Sequence, residues 1–140
     1  MKLKLVMLVS VFAFGLAFSA NAGSVTDTDG DLVPDQFDNC VTTDNGPGED
    51  SNQVDTDLDG YGNACDADYS TPAADFLVTT GDFPTFVNAF TGAAPSLETD
   101  HNGDTLTTTA DFTTFLQMFQ GVTTLGPGLS CAGVTVPCLP

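Results

Sequence analysis

Nineteen carboxylates and only two basic side chains set the terms for any fold this chain can adopt, because both basic residues, Lys2 and Lys4, stand in the first four positions. Those positions open a stretch that reads as a leader. Leu5 to Phe18 is apolar apart from Ser10 and Gly15, and Ala20-Asn21-Ala22 offers a small-x-small cleavage site. The sequence therefore predicts a signal peptide over 1–22, a mature start at Gly23, and export to the periplasm, the cell surface or the medium. The apolar run is short for a bilayer span and has no basic flank on its far side, so no membrane span is expected after cleavage. With the leader gone, no Lys or Arg remains to pair with a carboxylate. Each acidic group must stay solvated or find a metal ion, because a buried unpaired charge is too costly to keep.

Removing 22 residues from 140 leaves 118, enough for one ordinary domain or two small ones, with no Trp and few aromatic residues to build a core. Such a chain needs staples. Four Cys in an export context supply them most simply as two disulfides, in any of three connectivities. Zinc is the alternative use of the thiols, but there is no CxxC pair and the one His is His101. The charge excludes nucleic acid as a partner and disfavours anionic membrane surfaces. Acidity of this degree also suits a disordered tail. What separates the two readings is that here Asp recurs at every second position beside Gly.

The run from Asp27 to Asp38 has carboxylates at loop positions 1, 3, 5, 9 and 12: Asp27, Asp29, Asp31, Asp35 and Asp38. The run from Asp55 to Asp66 has Asp55, Asp57, Asp59, Asn63 and Asp66 at the same positions. These are the ligand positions of a twelve-residue Ca2+ loop, whose position 7 contributes a backbone carbonyl, here Val33 and Tyr61. Position 6 makes the sharp turn and favours Gly, which Gly60 supplies; Leu32 stands there in the first loop, so that loop must differ in geometry or carry strain. Two such loops with a Cys beside or next to each final Asp, DTDGDLVPDQFDNC at 27–40 and NQVDTDLDGYGNACD at 52–66, resemble the thrombospondin type 3 repeat. The resemblance also takes in Asn39-Cys40, Asn52-Gln53 and Ala64-Cys65-Asp66 and covers about a third of the chain. It implies an irregular backbone wound around calcium ions and a disulfide between neighbouring repeats, Cys40 to Cys65. The chain departs from the family at Leu32 and in its longer connection, Val41 to Ser51.

The second half repeats itself. A shift of 29 residues superimposes Asp75 on Asp104, Leu77 on Leu106, Asp82-Phe83 on Asp111-Phe112, Phe86 on Phe115, Phe90 on Phe119 and Gly92 on Gly121. In the second copy Asp100, Asn102, Asp104, Thr108 and Asp111 take loop positions 1, 3, 5, 9 and 12, with the Leu106 carbonyl at 7. Phe112, Phe115, Leu116 and Phe119 follow at helical spacing, and Gly121 closes the helix. The first copy offers Asp75, the Leu77 carbonyl, Thr79 and Asp82; its front end would come from Asp68 and Ser70, with Thr71 to Ala74 as an insertion, and its site is expected to be weak or empty. A duplicated loop–helix unit of this kind, DHNGDTLTTTADFTTFLQMF at 100–119 with DFLVTTGDFPTFVNAF at 75–90, resembles the dockerin family, although Thr105 and Phe76 replace the glycine common at position 6. The two helices are predicted to lie antiparallel with their Phe faces together. His101, at a non-ligand position of its loop, is predicted to face solvent.

In the tail, Cys131 and Cys138 are close enough in sequence for a local bridge, with a tie to the amino-terminal segment as the alternative. The expected fold class is thus small, loop-rich, calcium-stabilised and disulfide-stapled. It has an irregular thrombospondin type 3 segment over 23–67, a mainly α dockerin-like pair of loop–helix motifs over 68–121, and a tail over 122–140. No catalytic constellation stands out, so an enzyme is not expected: the paired carboxylates sit at ion-ligand spacing on loops, not in a cleft that would raise one pKa for acid–base work. The expectation is a secreted calcium-binding structural or adhesion module. The alternatives are a recognition module for a cohesin-like receptor and, more weakly, an accessory part of a polysaccharide-degrading system.

Overall fold

A computed structural model describes residues 25–69 and 75–121. The expected leader, the Cys131–Cys138 pairing, Ser70 and the 71–74 insertion lie outside the described residues. Two helices form where the sequence shows Phe at helical spacing: α1, Phe83–Phe90, and α2, Thr109–Phe119. Pro84 begins α1, where its missing N–H costs nothing. The longer α2 starts on a capping box, in which the Thr108 hydroxyl accepts from the Ala110 amide and the Asp111 carboxylate accepts from the Thr108 amide at 2.7 Å. Gly92 and Gly121, 29 residues apart, follow the two helices with φ of 73° and 69°, left-handed conformations that suit glycine. No strand forms among the described residues.

Helices of eight and eleven residues are too short to persist alone in water, so packing must hold them. It does so through equivalent residues of the repeat. Phe86 and Phe115 are both fully buried, and their ring centroids lie 5.0 Å apart. Tyr69, Ala67 and Met118 complete this cluster, with Val78 and Phe112 against its edge. Burying each Phe contributes about 1.5–3 kcal/mol. That is a small core, and the polar interior of the described residues outnumbers it. Among the described residues thirteen polar or charged side chains are buried against ten apolar ones, and seven of the thirteen are Asp. An interior of this kind needs something other than apolar contact to balance its charge.

The segment before residue 67 has no helix or strand among its described residues and winds through successive turns. Cys40 and Cys65 are joined by a disulfide that closes a separation of 25 residues, with their Cα atoms 5.7 Å apart. Loop closure of this length lowers the entropy of the unfolded chain by an amount worth about 3.5 kcal/mol in the chain-entropy treatment. Beside it, three side-chain amides, the buried Asn39 and Asn45 and the half-buried Gln53, form a closed network. The Gln53 side-chain amide donates to Asp38 Oδ1 and Asn45 Oδ1, each at 2.8 Å, and its Oε1 accepts from the Asn39 amide at 2.9 Å. Asn45 in turn donates to Asn39 Oδ1 at 2.8 Å.

The two halves touch. A Cβ added to Gly103 would come within 2.3 Å of the backbone at Asp50 and Ser51, so the loop after Asp100 rests directly on the earlier segment. His101 is also buried there, only 3 % exposed, and not at the surface as its position in the loop suggests. The reason is tertiary: the position-2 side chain turns away from the loop interior, and in this chain that direction faces the aromatic cluster.

Candidate metal sites

The four loops share one backbone frame, which begins with the carboxylate at position 1. Asp27 accepts from the amides of Gly30 and Leu32 at 2.8 and 3.2 Å. Asp55 accepts from Leu58 and Gly60 at 2.7 and 3.0 Å, and Asp100 from Gly103 and Thr105 at 2.9 and 2.8 Å. Positions 4 and 6 must therefore turn their N–H groups inward, and they do so through positive φ. Gly30, Leu58 and Gly103 have φ of 85°, 64° and 78°; Leu32, Gly60 and Thr105 have 78°, 95° and 73°. The non-glycine residues among these are strained by roughly 1–2 kcal/mol each. Leu32 thus keeps the geometry of the glycine position and bears the strain.

The first copy of the repeat fits the same frame once its insertion is allowed for. Asp68 accepts from the amides of Asp75 and Phe76, and Phe76 has φ of 63°, so Asp68 acts as position 1 and Phe76 as position 6. From 68 to 82 the loop spans fifteen residues against twelve in the others, a net excess of three, one fewer than the 71–74 segment expected as the insertion. At position 5 all four loops agree: Asp31, Asp59, Asp75 and Asp104 each accept from the amide two residues on, at 2.7, 2.8, 3.1 and 2.9 Å.

The far side of each loop separates them into two kinds. In the first pair the position-9 side chain secures position 2: Asp35 accepts from the Thr28 amide at 2.8 Å, and Asn63 from the Thr56 amide at 2.9 Å. In the second pair the position-12 carboxylate does this. Asp82 accepts from the amides of Thr79 and Tyr69 at 2.7 and 3.3 Å, and Asp111 from those of Thr108 and His101 at 2.7 and 2.9 Å.

Alongside these bonds the carboxylate oxygens converge, although both oxygens of Asp27 and of Asp55 already accept from backbone amides. Asp27, Asp29 and Asp31 each offer an oxygen within 4.8 Å of the others, and so do Asp55, Asp57 and Asp59. Either triplet could hold a metal ion. Asp38 stands outside its triplet, yet its charge helps to raise the Asp29 carboxyl, after burial and Asp31. Asp29 Oδ2 and Asp38 Oδ2 are buried with no hydrogen-bond partner, which suits oxygens meant for a cation. In loop 100–111, Asn102 Oδ1 accepts from the Asp104 amide and its Nδ2 donates to Asp104 Oδ2 at 3.2 Å, so the amide bridges position 5. Val33, Tyr61, Leu77 and Leu106 stand at position 7, each with its amide bound by the preceding position-5 carboxylate.

Electrostatics point the same way. Burial, then the charges of Asp59, Asp55 and Glu98, push the Asp57 carboxyl up to about 7. Burial and the charges of Asp82 and Asp75 raise Asp68 to about 6, against the pull of its two amide donors. Burial also raises Asp59, Asp100 and Asp38, and raises Asp66 well above the usual carboxylate range. Packed carboxylates in this condition take up protons or a divalent ion. Oxygen-only donors at this spacing fit a hard cation of the calcium type.

Two features escape sequence reasoning. Glu98, outside every loop, lines a cavity of about 10 Å³ with Asp57, Asn63, Asp66, Asp68 and Tyr69. Gln53 holds Asp38 in place, and the only sign of it in the sequence is the Asn52-Gln53 pair. No protein-family model, curated protein or solved structure matches the chain.

Proposed function

We propose that this chain is an exported calcium-binding structural or adhesion module, folded and stiffened by the ions its loops take up. The observation that carries this reading is the repeated frame: four loops turn the position-6 amide onto the position-1 carboxylate, and two of them bring three Asp oxygens within 4.8 Å. The resemblances to the thrombospondin type 3 repeat and to dockerin fit the two kinds of loop. The Cys40–Cys65 disulfide suits an oxidising, extracellular setting, in keeping with a leader over 1–22. Calcium affinities typical of extracellular modules, about 10⁻⁴ to 10⁻³ M, are expected. Calorimetric titration of calcium into chelator-treated protein tests the reading. Heat of binding with a gain in helicity supports it, and the absence of both rejects it.

A second reading is a plug for a cohesin-like receptor, favoured by the near two-fold repetition of α1 and α2. Thr80, Gly81, Thr109 and Ala110, at equivalent places in the two copies, are all exposed. Capture on immobilised cohesin, lost in chelator, would favour this reading. Failure with every cohesin tried would leave the structural role.

A further inference from the structure

We infer that His101 is a positioning residue that couples ion binding in loop 100–111 to ion binding in loop 55–66, so that the two kinds of loop load together. The inference rests on the calcium reading above and adds to it a path between sites. His101 occupies position 2 of its own loop, and its backbone amide donates to Asp111 Oδ1 at 2.9 Å. Asp111 is the carboxylate that closes that loop, and it is fully buried. The imidazole leaves the loop and reaches the other half of the protein, where Nδ1 lies 2.6 Å from the backbone carbonyl oxygen of Asn63. A carbonyl only accepts, so Nδ1 carries the proton and Nε2 is left to accept from the Tyr69 hydroxyl at 3.2 Å.

Asn63 is position 9 of loop 55–66, and each of its polar groups is engaged. Its Oδ1 accepts from the Thr56 amide at 2.9 Å, its Nδ2 donates to Thr56 Oγ1 and to the Leu97 carbonyl at 2.8 and 2.7 Å, and its own amide donates to the Val54 carbonyl at 2.8 Å. A shift of the Asn63 backbone must therefore disturb position 2 of loop 55–66 and Val54, the residue just before position 1. The ring of His101 is fixed from the sides as well, with Tyr69 and Phe86 centroids at 6.2 and 6.4 Å. Between Asp111 and Asn63 there is one residue, two short hydrogen bonds and no solvent-exposed step. An ion that draws Asp111 into its closing position orders His101, and His101 orders the far side of the other loop.

A double-mutant cycle read by terbium luminescence tests this. Terbium replaces calcium, and the part of the tyrosine-sensitised signal that disappears in Tyr61→Phe reports loop 55–66. Asp104→Asn weakens loop 100–111 alone. With His101 present, D104N should raise the terbium concentration that half-fills loop 55–66 by about 5-fold or more. In His101→Phe, which keeps the stacking but removes the Nδ1 donor, the same change should shift it by less than about 2-fold. His101→Asn, whose amide can donate to the Asn63 carbonyl, should restore part of the coupling. The inference is overturned if D104N leaves loop 55–66 unmoved, or moves it equally in both backgrounds. If H101F does not fold, judged by helicity, the D104N arm alone still decides the matter through the first of these results. Absence of terbium binding to the unmodified protein is a separate result, and it rejects the calcium reading together with the coupling.

Discussion

Replacing Asp38 with Asn should change stability in opposite directions with and without calcium. The side chain is fully buried; Oδ1 accepts from the Cys40 amide at 2.9 Å and from Gln53 at 2.8 Å, while Oδ2 has no hydrogen-bond partner. An Asn of the same shape keeps both bonds through its Oδ1 and removes the buried charge. In chelator, Asp38→Asn should therefore stabilise the fold by about 1 kcal/mol, the scale of one close like-charge repulsion, because it relieves the charges of Asp31 and Asp35 while its Nδ2 takes the unpartnered place of Oδ2. In about 10 mM calcium the comparison reverses. A site with Kd near 10⁻⁴ M then contributes about 2.7 kcal/mol of linkage, and a 100-fold loss of affinity on removing the closing carboxylate would reduce this to under about 0.5 kcal/mol. Thermal unfolding of both proteins in calcium and in chelator reads the two signs. For a domain a little above 100 residues, 1 kcal/mol is a shift of roughly 3–5 °C. The same sign in both conditions would refute the reasoning that Asp38 serves an ion.

Three further outcomes follow from the geometry. Leu32→Gly should raise the unfolding temperature by the equivalent of about 1 kcal/mol, because φ is 78° and the side chain, 80 % exposed, buries little to lose. Gly103→Ala should destabilise by about 2 kcal/mol or more and loosen the junction of the halves, since the new methyl meets the Asp50 backbone at 2.3 Å and φ is 78°; unchanged melting would contradict that packing. In chelator, stability should fall as pH rises. Carboxyls whose pKa is raised in the fold bind more protons there than in the unfolded chain, so their contribution is fully present below about 3.8 and lost as pH climbs through about 6 for Asp68 and about 7 for Asp57. Excess calcium should reverse the trend, because the ion requires the deprotonated form. Melting curves between pH 4 and pH 8 in the two conditions check both slopes.

The features that sequence spacing reveals are the ones that local geometry decides. Asp27, Asp29 and Asp31, and likewise Asp55, Asp57 and Asp59, converge because alternate residues of a tight loop face one way, and no distant contact is needed. The two Phe-lined helices are legible for the same reason, since Phe86 and Phe115 mark the inward face of their turns. His101 is not legible, because the exposure of a position-2 side chain depends on what packs against the loop, here Tyr69, Phe86 and the Asn63 carbonyl. Glu98 lies close to Asp57 only because the connection between the helices crosses the second loop. Asp68 lies between these cases. Its role as position 1 depends on reading across an insertion, and the amides of Asp75 and Phe76 reveal the register.

The most direct test is small-angle scattering of the chain from Gly23 onward at neutral pH, first in calcium and then in excess chelator. If bound divalent ions hold together an interior that, among the described residues, buries more polar side chains than apolar ones, the loaded protein should show a radius of gyration of about 14 Å. Removing the ions should expand it well toward the roughly 35 Å of an unfolded chain of this length. An unchanged radius after chelation would contradict the account, because the disulfide and the small Phe cluster would then suffice on their own.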